Sequence, residues 1–169
     1  MKRVPRTLAV DLDGVLGDTR PLWRAWLEDA ARRFDSIAAL DPASLPHDRG
    51  KAAEELDRWA AAGVGDWRAA LGRFAEERAP VYLRLRAEIA GALRQAQASG
   101  TRIGVFTDAP EPLARVALAQ LGAARRVEVL ETGAGALDRL RARLGDEVEV
   151  VRCPGDLVSH PLARAEGEA

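Results

Sequence analysis

Leu8-Ala9-Val10-Asp11-Leu12-Asp13-Gly14-Val15 is the stretch on which the reading of this chain turns. An apolar, partly β-branched run near the N-terminus reads as a buried strand, and Gly14 lets the chain turn sharply after it. Side chains alternate along a strand, so Asp11 and Asp13 point the same way if the strand runs through both. Desolvating two neighbouring carboxylates without a counter-charge costs several kcal/mol. Stability alone does not select such a pair. A divalent cation at the strand's end relieves the repulsion, and leaves one carboxylate to attack while the other handles protons.

Working outward, the segment after Gly14 is helical. Apolar spacing predicts a helix over 21–34, with Thr19 as N-cap and Pro21 in the first turn. A loop with Pro42, Pro46 and His47 covers 35–49. Helices follow over 51–61, ended by Gly63 and Gly65, over 66–75, broken at Pro80, and over 81–98, closed by Gly100. The pattern then changes to short apolar strands over 101–107, 126–130 and 147–152, separated by helices through Leu121 and over 136–144. Strands alternating with helices imply βαβ units and a parallel sheet, and such sheets bind ligands beyond the carboxyl ends of their strands. Asp11/Asp13, Thr107/Asp108, Glu131/Thr132 and the stretch from Cys153 to Asp156 all fall at such ends.

Composition narrows the class. A chain of 169 residues with 47% hydrophobic and 30% charged residues suits one globular domain, with room for an inserted subdomain. A net charge of −1 gives no support for nucleic-acid binding or a polybasic membrane patch. No apolar run approaches the roughly 20 residues that span a bilayer. The basic start Met1-Lys2-Arg3 is followed by an apolar stretch that Asp11 interrupts, so a signal peptide is not expected. The single Cys153 fits a reducing cytoplasm, and the two histidines lack zinc-ligand spacing.

Asp11-Leu12-Asp13-Gly14-Val15 after an apolar strand resembles the first motif of the haloacid dehalogenase superfamily, in its phosphatase branch. Ile103-Gly104-Val105-Phe106-Thr107 resembles the second motif, a strand ending in Thr or Ser. The resemblance implies an α/β fold: a Rossmann-like parallel sheet with helices on both faces, plus an inserted all-helical cap. Residues 1–18 and 85–169 would form the core domain, and 19–84 the cap. It further implies Asp11 as the nucleophile that forms an aspartyl-phosphate and Asp13 as the acid/base. Thr107, with Asp108 beside it, would bind the phosphoryl group, and Mg²⁺ would be held by Asp11, Asp13 and Asp156. The implied partner is a small phosphorylated metabolite, in the cytoplasm. Halide leaves without a proton whereas an ester oxygen needs one, so Asp13 favours phosphate-ester cleavage.

The chain departs from the family's pattern in two places. The third motif's Lys or Arg has no counterpart in Glu131-Thr132-Gly133-Ala134-Gly135-Ala136; Lys51 lies in the insert, and Arg126 or Arg139 stands as a replacement. The acidic pair of the fourth motif is replaced by Cys153-Pro154-Gly155-Asp156, and a thiol is a poor Mg²⁺ ligand, which leaves the missing carboxylate to Asp156 or to Asp108. These departures keep a second reading open: a catalytically impaired, haloacid dehalogenase-like binding or regulatory protein. Phosphoryl transfer to an acceptor other than water is a third. The bland readings are a turn at Asp13-Gly14, helix capping by Thr107 or Asp108, a loop cap at Asp156, and core packing of Trp23, Trp26, Trp59 and Trp67.

Overall fold

The apolar run that opens the chain forms β1, Thr7–Asp11, in which Leu8, Ala9 and Val10 are wholly buried. The computed structural model describes residues 6–38, 40–145 and 147–159; the basic residues 1–5 and the tail from 160 onward lie outside them. Three further strands, β2 (Arg102–Thr107), β3 (Val129–Thr132) and β4 (Val148–Val151), join β1 in a sheet of order β3-β2-β1-β4. All pairings are parallel. Register aligns the carboxyl ends: Asp11 lies beside Phe106, Thr107 beside Thr132, and Val10 beside Val151. One rim of the sheet therefore gathers Asp11, Thr107 and Arg152.

Alternation along β1 and β2 divides the core in two. Ala9 and Phe106 face Ala136, Leu140 and Leu144 of α6 (Ala136–Leu144). Leu8, Val10, Ile103 and Val105 face the opposite way, into the larger apolar cluster. That cluster takes in α4 (Ala87–Ala98), α5 (Glu111–Gln120) and Leu157 of α7 (Pro154–Val158). Helices thus cover both faces, as expected of an α/β fold with a parallel sheet.

Between β1 and α4 come α1 (Arg20–Ala38), α2 (Arg49–Trp59) and α3 (Trp67–Tyr82). The four tryptophans are buried on these helices, as core residues. Trp26 is central, its ring centroid 5.3 Å from Trp23 and 6.1 Å from both Phe34 and Trp67. The buried indoles of Trp59 and Trp67 donate to Glu55 (3.0 Å) and Asp57 (2.9 Å), so neither N–H is stranded. The same apolar cluster runs from these helices to β1, β2, α4 and α5 without a break, and α3 lies along α5.

Several boundaries differ from the sequence reading. Pro80 does not break α3, which continues to Tyr82: the hydrogen bond a proline forfeits falls to exposed Glu76, and Leu83 N–H still closes on the Ala79 carbonyl at 2.8 Å. The chain instead leaves the helix over 83–86, so α4 starts at Ala87 rather than 81. The third strand lies further along than 126–130. Ala124–Arg126 makes a tight helical turn, and pairing with β2 begins at Val129. No helix among the described residues is long and apolar enough to cross a membrane.

Because one apolar cluster joins the inserted helices to the sheet, unfolding should be a single transition. Trp26→Ala should cost about 3–5 kcal/mol and shift the urea midpoints of tryptophan fluorescence and far-UV circular dichroism together. Two separated midpoints would mark the insert as an independent unit.

Candidate active site

After Asp11 the chain enters a wide turn over Leu12–Leu16, pinned by buried Leu12, Val15 and Leu16. Gly14 takes φ of 99°, a conformation that disfavours any side chain, and its N–H donates to the Gly17 carbonyl at 2.7 Å. This turn aims the Asp13 carboxylate at the rim, where four donors meet it. Thr19 gives both its backbone N–H and its hydroxyl to Oδ1, each at 2.7 Å. Thr107 Oγ1 donates to Oδ2 at 2.9 Å, and Arg49 Nη2 donates to the same oxygen at 2.5 Å. The Thr107 hydroxyl also accepts from the Ala109 N–H at 3.1 Å, which fixes its proton toward Asp13.

Arg49 comes from the insert, and the sequence reading missed it. Asp48 caps α2 by accepting from Lys51 N–H at 2.9 Å, which puts Arg49 at the first helical position. The helix dipole favours anions there, so that position gains an arginine nothing by itself. Gly50 follows, and a Cβ on it would stand 2.9 Å from both the backbone nitrogen and the Cβ of Ala134. Only glycine lets α2 come this close to the loop between β3 and α6 and seat Arg49 in the rim. The guanidinium, 4% exposed, also donates from Nη1 to Thr19 Oγ1 at 2.7 Å and from Nη2 to Asp108 Oδ1 at 2.6 Å. Burial works against its charge, but hydrogen bonds and attraction from Asp108 and Asp13 outweigh that and raise its pKa.

Asp11 is 22% exposed, and its pKa is raised from 3.8 to about 6. Burial is the main cause, and repulsion from Asp13 the second; Arg152 and a hydrogen bond from the Asp13 backbone pull the other way. Arg152 follows β4 and brings Nη1 to 3.8 Å from Asp11 Oδ2. Its guanidinium carbon lies 5.3 Å from the centroid of the Phe106 ring. Beside the rim opens a cavity of about 430 Å³ whose walls include Arg20, Arg24, His47, Arg49 and Asp108.

The structure brings Asp11, Asp13, Thr107 and Asp108 together. Asp156 is exposed in the first turn of α7, with its N–H on the Cys153 carbonyl at 3.2 Å. Thr19 does not spend its side chain capping α1; Asp18 takes the Arg20 N–H at 3.0 Å, and the Thr19 hydroxyl serves Asp13. Arg126 and Arg139 do not supply the missing cation. Arg126 bonds the Gly122 carbonyl, and Arg139 is taken up by Glu131 and the carbonyls of Thr132 and Ala134. The implied Mg²⁺ site does not fit the residues present. Both oxygens of Asp13 are occupied by N–H and O–H donors, Arg152 borders Asp11, and no group of three His, Cys, Asp or Glu among the described residues could hold a metal ion.

Two outcomes follow from this geometry. An acid with a raised folded-state pKa favours the folded state at low pH and loses that advantage as pH rises through about 6. Asp11→Asn, measured in chelator, should therefore gain on the order of 2 kcal/mol over the native chain near neutral pH, the gain vanishing below about pH 4. Gly50→Ala should lower the urea midpoint, by forcing α2 and Arg49 away from Ala134; an unchanged midpoint would show that the approach is not needed.

The fold has counterparts among solved structures. CbbY from Rhodobacter sphaeroides, in complex with phosphate, is 18% identical with a TM-score of 0.60; the match covers 87% of this chain and 77% of that one. A mutant of the same protein, in complex with Xylulose-(1,5)bisphosphate, is 18% identical with a TM-score of 0.59 over the same shares of the two chains. At that identity the likeness speaks for the fold. No curated protein matches the chain. The family model described as haloacid dehalogenase-like hydrolase matches residues 5–151, from before β1 to the last residue of β4. With its two aspartates at the end of the central strand and its helical insert directly behind them, this chain belongs to the haloacid dehalogenase-like hydrolases.

Proposed function

We propose that the protein hydrolyses a small phosphomonoester through an aspartyl-phosphate on Asp11. The observation that carries this reading is the pairing of a half-buried, weakly anchored Asp11 with a firmly held Asp13, beside Thr107 and two guanidinium groups. Asp11 carries no tight ion pair, which leaves an oxygen for attack. Asp13, by contrast, is immobilised, as a proton-handling group must be.

The substrate phosphate lies between Asp11 and the donors of the rim. An Asp11 oxygen forms a bond to phosphorus as the ester P–O bond breaks, and the leaving oxygen takes a proton from Asp13. Water then attacks phosphorus and gives a proton to Asp13, and the Asp11–phosphorus bond breaks to release inorganic phosphate. In the structure four donors face Asp13. The incoming dianion competes with Asp13 for Arg49 and Thr107, which free Asp13 for the leaving oxygen as they turn to the phosphate. Residues 19–84 act as a cap that excludes water and selects the substrate. The basic cavity beside the rim suits an anionic metabolite, in keeping with the phosphate and the sugar bisphosphate bound by CbbY. A cytoplasmic enzyme is the matching setting.

The lack of a fitting metal site favours a second reading, a binding protein without turnover. An aryl phosphate assayed with and without Mg²⁺ separates the two. Turnover should vanish in Asp11→Asn and fall roughly 10- to 100-fold in Thr107→Val, which loses one hydrogen bond to a charged group. Since the attacking form is the carboxylate, kcat/KM should rise with pH through about 6. No turnover across a panel of phosphomonoesters would leave the binding reading.

A further inference from the structure

We infer that two arginines, Arg152 and Arg49, take the place of the divalent cation at this site, so that it binds a phosphate group without metal. The inference rests on the proposed phosphomonoester reading for its choice of ligand. Its physical basis lies in what faces Asp11 from each neighbouring strand. On β4, Val151 pairs with Val10, so the next residue is the one that flanks Asp11. That residue is Arg152, a cation rather than a carboxylate. The turn after Asp11 lies against it as well, since a Cβ on Gly14 would come within 3.9 Å of the Arg152 carbonyl. On β2, Asp11 pairs with Phe106, and the Arg152 guanidinium lies over that ring. An aromatic face attracts a cation and orients its plane. Arg152 is thereby held beside Asp11 while remaining 60% exposed and open to an incoming ligand.

The remaining donors agree. Cys153 is an exposed thiol, which binds Mg²⁺ poorly. Asp156 is exposed on α7. Asp13 has its oxygens filled by hydrogen-bond donors, and Asp108 shares Arg49 with it. A divalent cation near Asp11 would meet a guanidinium on one side and, on the other, Asp108 with one oxygen already on Arg49. A phosphate dianion meets Arg152 on one flank and, on the other, Arg49 and the Thr107 hydroxyl, which turn to it from Asp13. Guanidinium groups present paired N–H donors that match phosphate oxygens, and they keep their charge at any working pH. A chain with 25 Lys and Arg residues but lysine only at Lys2 and Lys51 has this chemistry to hand.

The test uses the whole protein in excess EDTA. Inorganic phosphate is titrated calorimetrically into the native chain, Arg152→Ala and Arg152→Lys, and MgCl₂ is titrated separately into protein freed of chelator. Aryl phosphate turnover is followed in EDTA and in Mg²⁺. One phosphate should bind per chain in EDTA, about tenfold or more weakly in Arg152→Ala, with partial recovery in Arg152→Lys. Mg²⁺ alone should give no saturable heat, and turnover should persist in EDTA. Urea midpoints of the variants, unchanged for so exposed a side chain, confirm folding. Saturable Mg²⁺ binding overturns the inference. So does phosphate binding that needs Mg²⁺ or ignores Arg152. Turnover that stops in EDTA and returns with Mg²⁺ overturns it too, while leaving the hydrolase reading intact. Phosphate binding in EDTA that depends on Arg152, with no turnover under any condition, upholds the inference and ends the hydrolase reading instead.

Discussion

The contact between the Arg49 guanidinium and the Asp13 carboxylate, 2.5 Å long and almost wholly out of water, is the constraint around which the rim is organised. Neither charge is affordable alone at that depth, because a desolvated ion without a partner costs several kcal/mol. Together they satisfy each other, with Thr19, Thr107 and Asp108 taking up the remaining donors and lone pairs. The bond also ties the insert to the sheet. Arg49 belongs to α2, Asp13 to the turn after β1, and Thr107 and Asp108 to the end of β2. Gly50 and Ala134 fit closely just beside it, so the polar contact and the steric one locate α2 jointly.

Electrostatic tension at Asp11 is the counterpart of that order. Asp13 and Asp108 share one guanidinium, and their net effect on Asp11 is repulsive. Arg152 compensates only in part, from 3.8 Å and with most of its side chain in water. With burial as the main cause and this repulsion added to it, the pKa of Asp11 sits near 6, and the folded protein is less stable at neutral pH than it would be with an uncharged group there. Such a cost is characteristic of groups kept for chemistry or binding rather than for the fold.

The legible part of this molecule was the part written locally. The apolar runs put Asp11 at the end of β1 and Thr107 at the end of β2, and parallel pairing then had to bring those ends together, whereas Asp13 sits in the turn beyond β1 and not on the strand as expected. The span of α6 was equally plain, with a Gly on either side of an amphipathic run. Arg49 was not legible, because its partners lie 36 and 59 residues away and the chain is rich in arginine. The sign that could have marked it is Asp48-Arg49-Gly50, a capping residue followed by a cation and a glycine in a first helical turn, where neither of the last two favours the helix. β3 was misplaced for a related reason. Its apolar content is ordinary from 127 to 130, and only the pairing of Gly104 with Val129 selects its register.

Arg49 also sets a relation between binding and chemistry that follows from the geometry. The group that neutralises Asp13 is the group an incoming anion would seek, so the anion and Asp13 compete for one guanidinium. An anion that wins Arg49 leaves Asp13 with one donor fewer. It also loosens a tie between α2 and the sheet, the same tie that helps keep the insert docked. By linkage, whatever shifts one of these equilibria shifts the others in the same free-energy amount. An anion's entry would thereby be coupled to the seating of the insert, through a residue that belongs to neither motif by which the chain is recognised.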